Sequence, residues 1–117
     1  MDKYIELTIE YFTTFKTQDY DKMATFLKDH TQYLNWTQTY IGMDDIINAN
    51  KHIITNAETN FEVIIKTIGK HDKEYSPTNV TFAEITFKQD KRYNHKIFTI
   101  EWDNDYKMNR IIGYTRI

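Results

Sequence analysis

The hydrophobic pattern of this chain changes its period near the midpoint, and that change constrains the fold more than any other feature. Over residues 4–15 the apolar side chains recur every three to four positions, so Leu7, Tyr11 and Phe15 share one side of a helix. From Phe61 onward the pattern alternates, which is typical of strands with one buried face. The chain is therefore predicted to adopt an α+β fold, with helices on one face of a mostly antiparallel sheet.

Three helices are predicted in the first half. Asp19 is expected to cap the second helix, because a side-chain oxygen at that position accepts N–H groups of the first turn. A short strand is expected over residues 31–36, and Asp44 and Asp45 open the third helix, where carboxylates favour the positive end of the dipole. The buried face of this third helix is expected to comprise Ile46, Ile47, Ala49, Ile53 and Ile54.

Four strands are predicted in the second half, over residues 61–68, 81–88, 93–102 and 106–117. Polar residues at 89–92 and 103–105 indicate hairpin turns, and Pro77 marks the start of a strand. Four basic residues around the first hairpin are interpreted as a solvated edge that discourages strand pairing: Lys88, Lys91, Arg92 and Lys96. No repeat or linker interrupts the pattern, so residues 1–117 are expected to form a single domain.

Charge and composition exclude several classes of function. The net charge is −2, so no nucleic-acid or membrane partner is expected. The chain has no cysteine, which excludes disulfides, thiolate metal sites and a cysteine nucleophile. His30, His52, His71 and His95 do not have the spacing of metal ligands, so neither a metal nor another cofactor is expected. No signal-like or spanning apolar run occurs, and the expected location is cytoplasmic.

Several short motifs follow one another in a characteristic order and spacing. They are residues 11–15, 19–21, 26–30, 33–35, 41–42, 98–102 and 107–114. This order resembles the nuclear transport factor 2-like superfamily, including its SnoaL-like branch. The resemblance implies a curved sheet wrapped around three helices as a cystatin-like cone, a ligand-sized pocket within the cone, and a homodimer formed through the outer sheet face. The superfamily includes isomerases, cyclases, dehydratases, epoxide hydrolases and non-catalytic adaptors, so function has to be argued from the site.

The steroid-isomerase branch of this superfamily uses a tyrosine, a strand carboxylate as base and a protonated aspartic acid. Aligned on Asp19, Tyr11 takes the position of the tyrosine and Asn35 that of the base. Aligned through the final hairpin, Phe98 takes the position of the protonated acid. An amide does not accept a proton at neutral pH, so proton abstraction of this type is not expected.

The limonene-epoxide-hydrolase branch holds a water with a tyrosine and an asparagine, which Tyr33 and Asn35 resemble. The two residues are two positions apart on a strand, so both are expected to face the pocket. The charged residues of that branch, an arginine and two aspartates, correspond to Ala83, Ile85 and Gly113. The acid–base half of the pattern is therefore missing, and no catalytic residue is assigned.

These comparisons predict a mostly apolar pocket that binds a small apolar or aromatic molecule without the usual acid–base groups. The candidate pocket residues are Tyr11, Phe15, Tyr33, Asn35, Phe98 and Trp102. Two interpretations of Tyr11 stay open: a pocket residue, or a core residue whose hydroxyl is hydrogen-bonded. If Asn35 lies in a dry pocket, Asn35→Asp should have a raised pKa. Two alternative functions also stay open, namely an enzyme using tyrosine and histidine, of the isomerase, dehydratase, cyclase or epoxide-hydrolase type, and a protein-interaction module.

Overall fold

A curved sheet and three helices make up the described part of the protein. The structure is a computed structural model that describes residues 2–55, 61–71 and 79–115. The helices are α1 (Lys3–Thr17), α2 (Tyr20–Ala24) and α3 (Met43–Thr55). The strands are β1 (Gln32–Leu34), β2 (Thr39–Ile41), β3 (Phe61–Lys70), β4 (Asn79–Gln89), β5 (Arg92–Trp102) and β6 (Met108–Thr115). The predicted α+β class is confirmed.

The strands form one sheet in the order β2-β1-β6-β5-β4-β3. Neighbours are antiparallel except β1 and β6, which run parallel. The register shifts between Ile65 and Thr67 in β3 and between Glu101 and Trp102 in β5. Such irregularities bend a strand and increase its twist, and they curve this sheet around the helices. The predicted cone with a mostly antiparallel sheet is therefore confirmed.

The helix ends are held by short polar side chains. Asp2 Oδ1 accepts the backbone N–H groups of Tyr4 and Ile5 at 2.8 and 3.3 Å at the start of α1. Asp19 caps α2 as predicted, since its Oδ1 accepts the N–H of Lys22 at 3.0 Å.

Among the described residues, no helix is long and apolar enough to cross a membrane.

Aromatic rings fill the core between α1 and the sheet. Phe12 packs on Phe98 with ring centroids 4.9 Å apart, and Phe15 packs on Phe87 at 5.6 Å. All four side chains are at most 5% exposed. Burying one such side chain stabilises a fold by about 1.5–3 kcal/mol, so these rings make a large contribution to holding α1 in the cone.

Trp102 anchors the other end of the core through a buried polar network. Its indole N–H donates to Thr81 Oγ1 at 2.9 Å, and Thr81 Oγ1 lies 2.7 Å from Thr8 Oγ1. Thr8 in turn donates to the backbone oxygen of Tyr4 at 2.7 Å. Each buried polar atom of this network has a partner, which is the usual condition for burying it without loss of stability.

Asp103 ties the β5–β6 turn to the rest of the fold. Its Oδ1 accepts the backbone N–H groups of Asp105 and Lys107, and its Oδ2 lies 2.7 Å from Lys28 Nζ. Partial burial acts to raise the pKa of Asp103, but the hydrogen bonds from Lys28 and the backbone outweigh it and hold the pKa below its usual value.

The observed elements differ from the predicted ones at several strand ends and in the following respects. β1 covers residues 32–34 rather than 31–36, and β2 was not predicted. On α3 the fully buried stripe includes Asn50 beside Ile46 and Ile54, whereas Ala49 and Ile53 lie on a neighbouring stripe and are partly exposed. The predicted strand start at Pro77 lies outside the described residues, as do the last two positions of the predicted strand 106–117.

Candidate functional site

A cavity of about 440 Å³ opens between α3, the β1–β2 hairpin and β5. Small-molecule sites in proteins typically measure about 300–1,000 Å³, so the cavity is large enough for a small organic ligand. Its walls are formed by Tyr33, Asn35, Tyr40, Asp45, Asn48, Ala49, His52, Ile53 and Lys96.

One stripe of α3 forms the helical wall of the cavity. Its five residues follow the spacing i, i+3, i+4, i+7, i+8 that places side chains on a single helix face: Asp45, Asn48, Ala49, His52 and Ile53. The adjacent stripe, Ile46, Asn50 and Ile54, is buried in the core. The helix therefore has separate faces for the core and for the cavity.

The β1–β2 hairpin supplies two aromatic side chains. Tyr33 and Tyr40 are directly opposite one another in the strand register, with ring centroids 5.7 Å apart. Tyr33 is 3% exposed, and burial raises the pKa of its hydroxyl to about 12, with a smaller opposing effect from Asn35. The Tyr33 hydroxyl is therefore a neutral group at physiological pH and keeps its proton to donate.

Asn35 stabilises the turn between β1 and β2, the two strands on which these tyrosines lie. Its Oδ1 accepts the N–H and the hydroxyl of Thr37 at 3.0 and 3.1 Å and the N–H of Gln38 at 2.9 Å. An asparagine that bonds backbone groups two and three residues ahead is typical of a turn. Asn35 lines the cavity, and its oxygen shapes the loop.

Lys96 faces the cavity from β5. Alternation along the strand puts it on the same face as Phe98 and Ile100, which are buried in the core. Its side chain is half-buried, and burial lowers the pKa of its amine. Within the described ranges, the amine makes no hydrogen bond and no ion pair. The interpretation of Lys96 as part of a solvated edge is therefore corrected, because its parity directs it inward.

Tyr11 is a core residue with a satisfied hydroxyl. It is 2% exposed, and its Oη accepts a hydrogen bond from Asn50 Nδ2 at 3.0 Å. Asn50 Nδ2 also lies 3.4 Å from the sulfur of Met23. Burial raises the pKa of Tyr11. Asn50, which the sequence analysis did not single out, provides the partner that this buried hydroxyl needs.

The six predicted pocket residues thus fall into two groups. Tyr33 and Asn35 both line the cavity. The other four, Tyr11, Phe15, Phe98 and Trp102, pack in the core, and none of them is among the described residues that line this cavity.

The positions that carry charged groups in the epoxide-hydrolase pattern are apolar and tightly packed. Ala83 and Ile85 are 0% exposed. A Cβ built on Gly113 would lie 3.2 Å from the Phe98 ring and 3.3 Å from Tyr33 Oη, so the glycine makes room for two aromatic side chains. None of these three positions therefore carries an acidic or a basic side chain.

The cavity nevertheless contains ionisable groups that the sequence analysis did not place there. They are Asp45, His52 and Lys96. The cavity wall is therefore more polar than the mostly apolar pocket that the sequence predicted. The sequence spacing indicates these positions, because Asp45 and His52 are seven residues apart on one helix face. Lys96 is two residues from Phe98 on a strand, so both side chains lie on the same face of the sheet.

Solved structures share this fold along almost the whole chain. A protein of unknown function with a cystatin-like fold from Methylobium petroleophilum has a TM-score of 0.80 at 11% identity, over 97% of this chain and 76% of its own. A provisional ketosteroid isomerase from Kribbella flavida has a TM-score of 0.79 at 10% identity, over 97% and 78%. A provisional SnoaL-like polyketide cyclase from Shewanella denitrificans has a TM-score of 0.75 at 14% identity, over 99% and 92%.

The chain therefore has the cystatin-like fold of these structures, and the fold that the resemblance in the sequence implied is confirmed. No protein-family model matches the chain, and no curated protein matches it in sequence. Because the identities are so low, these similarities establish the architecture, and the function has to be argued from the cavity.

Proposed function

We propose that this protein binds a small organic molecule in the cavity between α3, the β1–β2 hairpin and β5. The observation that carries the proposal is a concave space of about 440 Å³ whose wall combines two tyrosine rings with polar groups. A mixture of apolar surface and a few fixed polar groups is typical of ligand sites.

The wall residues support a ligand with a flat or apolar body. The rings of Tyr33 and Tyr40 and the side chains of Ala49 and Ile53 offer apolar contact. The hydroxyl of Tyr33 and the amide of Asn48 offer hydrogen bonds that would orient the ligand. Neither the isomerase nor the epoxide-hydrolase constellation is needed for such binding.

A matched pair of substitutions tests the proposal. Ala49→Trp fills the cavity, whereas Ala24→Trp enlarges an equally half-buried alanine on α2, away from it. A fragment library of aromatic and aliphatic compounds is screened by thermal shift, and hits are measured by calorimetry. Hits should lose affinity at least tenfold in A49W and keep it in A24W. Hits that bind A49W as tightly as the original protein, or the absence of any hit, would contradict the proposal.

An enzyme that uses a histidine and a tyrosine is the second candidate, favoured because His52 lines the same cavity as Tyr33 and Tyr40. This candidate requires the imidazole to move a proton for the bound ligand. Incubating each hit with the protein and with His52→Gln, followed by mass spectrometry of the ligand, separates the two. Conversion that depends on His52 would favour the enzyme, and an unchanged ligand would favour binding alone.

We also propose that the outer sheet face mediates a homodimer. Ile97 and Tyr114 are opposite each other in the register, on the face away from the core, and are 39% and 46% exposed. Trp36, after β1, is 74% exposed. Exposed apolar side chains grouped on one sheet face are typical of protein contacts.

A further inference from the structure

We propose that the cavity selects small organic acids, whose carboxylate pairs with Lys96 Nζ while the body of the ligand lies against Tyr33 and Tyr40. This inference rests on the proposed binding function and adds the chemical class of the ligand. It follows from the placement of one amine and from the charges around it.

The backbone directs Lys96 into the cone. Its register partner on β4 is Ile85, which is fully buried, and its partner on β6 is Thr115. The lysine therefore lies beside an apolar neighbour on the inner face of the sheet, and its side chain lines the cavity. Next to the main cavity lies a smaller hollow of about 180 Å³, and Tyr33, Asn35 and Lys96 line both spaces. Lys96 thus stands where the two spaces meet.

Among the described residues, the Lys96 amine has no ion-pair partner of the kind that a half-buried charge requires. The ion pairs of the described residues involve Lys28, Lys70 and Arg110, and none involves Lys96. A charge removed from water is costly unless it meets an opposite charge, and the lowered pKa of the Lys96 amine reflects that cost. An anionic ligand would supply the missing partner and restore the pKa.

The surrounding groups favour a carboxylate over a more highly charged anion. Asp45 and His52 face the cavity from α3, and Tyr33 and Tyr40 face it from the hairpin. Lys96 carries the amine among these described wall residues, and Asp45 adds a carboxylate to the same wall. One amine can pair directly with one carboxylate, and Asp45 would repel a phosphate dianion more strongly than a singly charged carboxylate. The Tyr33 hydroxyl offers a second donor for the carboxylate.

Benzoate and benzamide are the probes, since they have nearly the same shape and differ in charge. Their affinities are measured by NMR titration for the original protein and for Lys96→Met, Lys96→Arg and Lys91→Met. Lys96→Met keeps the length of the side chain and removes a poorly compensated charge, so the variant should fold. Lys91 lies in the β4–β5 turn and is exposed, which makes it a matched control.

The original protein, K96R and K91M should prefer benzoate to benzamide by roughly tenfold, the effect of one charge-assisted hydrogen bond. K96M should lose that preference and keep its affinity for benzamide. Asp45→Asn should bind benzoate more tightly. The affinity for benzoate should fall as the pH rises through the pKa of the Lys96 amine, and this fall should be absent in K96M.

Equal affinities of the two probes for the original protein would overturn the inference, and so would a preference that survives in K96M. These failures are distinct from failure of the proposed function. If neutral fragments bind in an A49W-sensitive manner and benzoate does not, the binding function stands and the carboxylate class is wrong. If no fragment binds, both proposals fail.

Discussion

The hydrogen bond between Asn50 and Tyr11 offers a direct test of how the core is built. Nδ2 of Asn50 donates to Oη of Tyr11 at 3.0 Å, and the side chains are 1% and 2% exposed. Tyr11→Phe removes the acceptor and leaves the amide with the sulfur of Met23, a weak acceptor at 3.4 Å. Asn50→Leu removes the donor and leaves the hydroxyl without it.

Each single substitution leaves a buried polar group short of a partner, which costs about 1–3 kcal/mol in the free energy of unfolding. The double variant replaces both groups by apolar ones of similar size, and such a replacement is often nearly neutral. We therefore expect the double variant to be less destabilised than the sum of the single ones, with a coupling energy of about 1–2 kcal/mol.

Urea unfolding followed by tryptophan fluorescence measures these changes. With a slope of about 2 kcal/mol per molar urea, a loss of 2 kcal/mol lowers the midpoint by about 1 M. The melting temperature should fall by about 4 °C for each kcal/mol at this chain length. Tyr93→Phe is the control, because that ring is 57% exposed and its substitution should cost less than about 0.5 kcal/mol.

The reasoning is refuted if the two single effects add in the double variant, since additive effects indicate side chains that do not interact. It is also refuted if Tyr11→Phe leaves stability unchanged and instead weakens binding of the cavity ligands. That second outcome would return Tyr11 to the pocket, the role that the sequence left open for it.

Three further outcomes are expected. In Asn35→Asp the new carboxyl should have a pKa below the ordinary aspartate value in an NMR titration, because the hydrogen-bond donors of Thr37 and Gln38 favour a carboxylate. This prediction is the reverse of the one made for a dry pocket, and a raised pKa would contradict it. Asp103→Asn should reduce the loss of stability on acidification. The lowered pKa of Asp103 stabilises the folded protein above the ordinary aspartate pKa, and this stability is lost as the pH falls through the pKa of the folded state. Acid unfolding curves identical to those of the original protein would contradict the prediction. Tyr114→Lys should convert a dimer into a monomer in light scattering, and an unchanged mass would exclude this face as the interface.

The architecture could be predicted because its signals are local and repeated. The helical spacing of Leu7, Tyr11 and Phe15 is confirmed by α1, in which all three are buried. Asp19 was recognisable as a cap because the residue type and the start of an amphipathic segment coincide. The alternation from Phe61 onward predicted the strands, since one sheet face is buried against the helices.

The site was less predictable because its residues act through tertiary contacts. A polar residue such as Asn50 on an amphipathic helix is usually expected on the solvent side. Its side chain is buried here, where it hydrogen-bonds the Tyr11 hydroxyl. β2 has three residues, too few to show alternation. Lys96 was grouped with nearby charges by its position in the sequence, whereas its parity with Phe98 decides its direction. A lysine is usually exposed to solvent, but its position on the strand directs the Lys96 side chain into the cone.

The two stripes of α3 have a consequence for how this protein can change. Ile46, Asn50 and Ile54 fasten the helix to the rest of the molecule, whereas positions 45, 48, 49, 52 and 53 meet whatever enters from solvent. Substitutions in the second set change the cavity wall and leave the buried anchoring side chains in place, because the two sets lie on different faces of the helix. A new specificity could therefore be obtained by randomising those five codons while the remainder of the scaffold is kept.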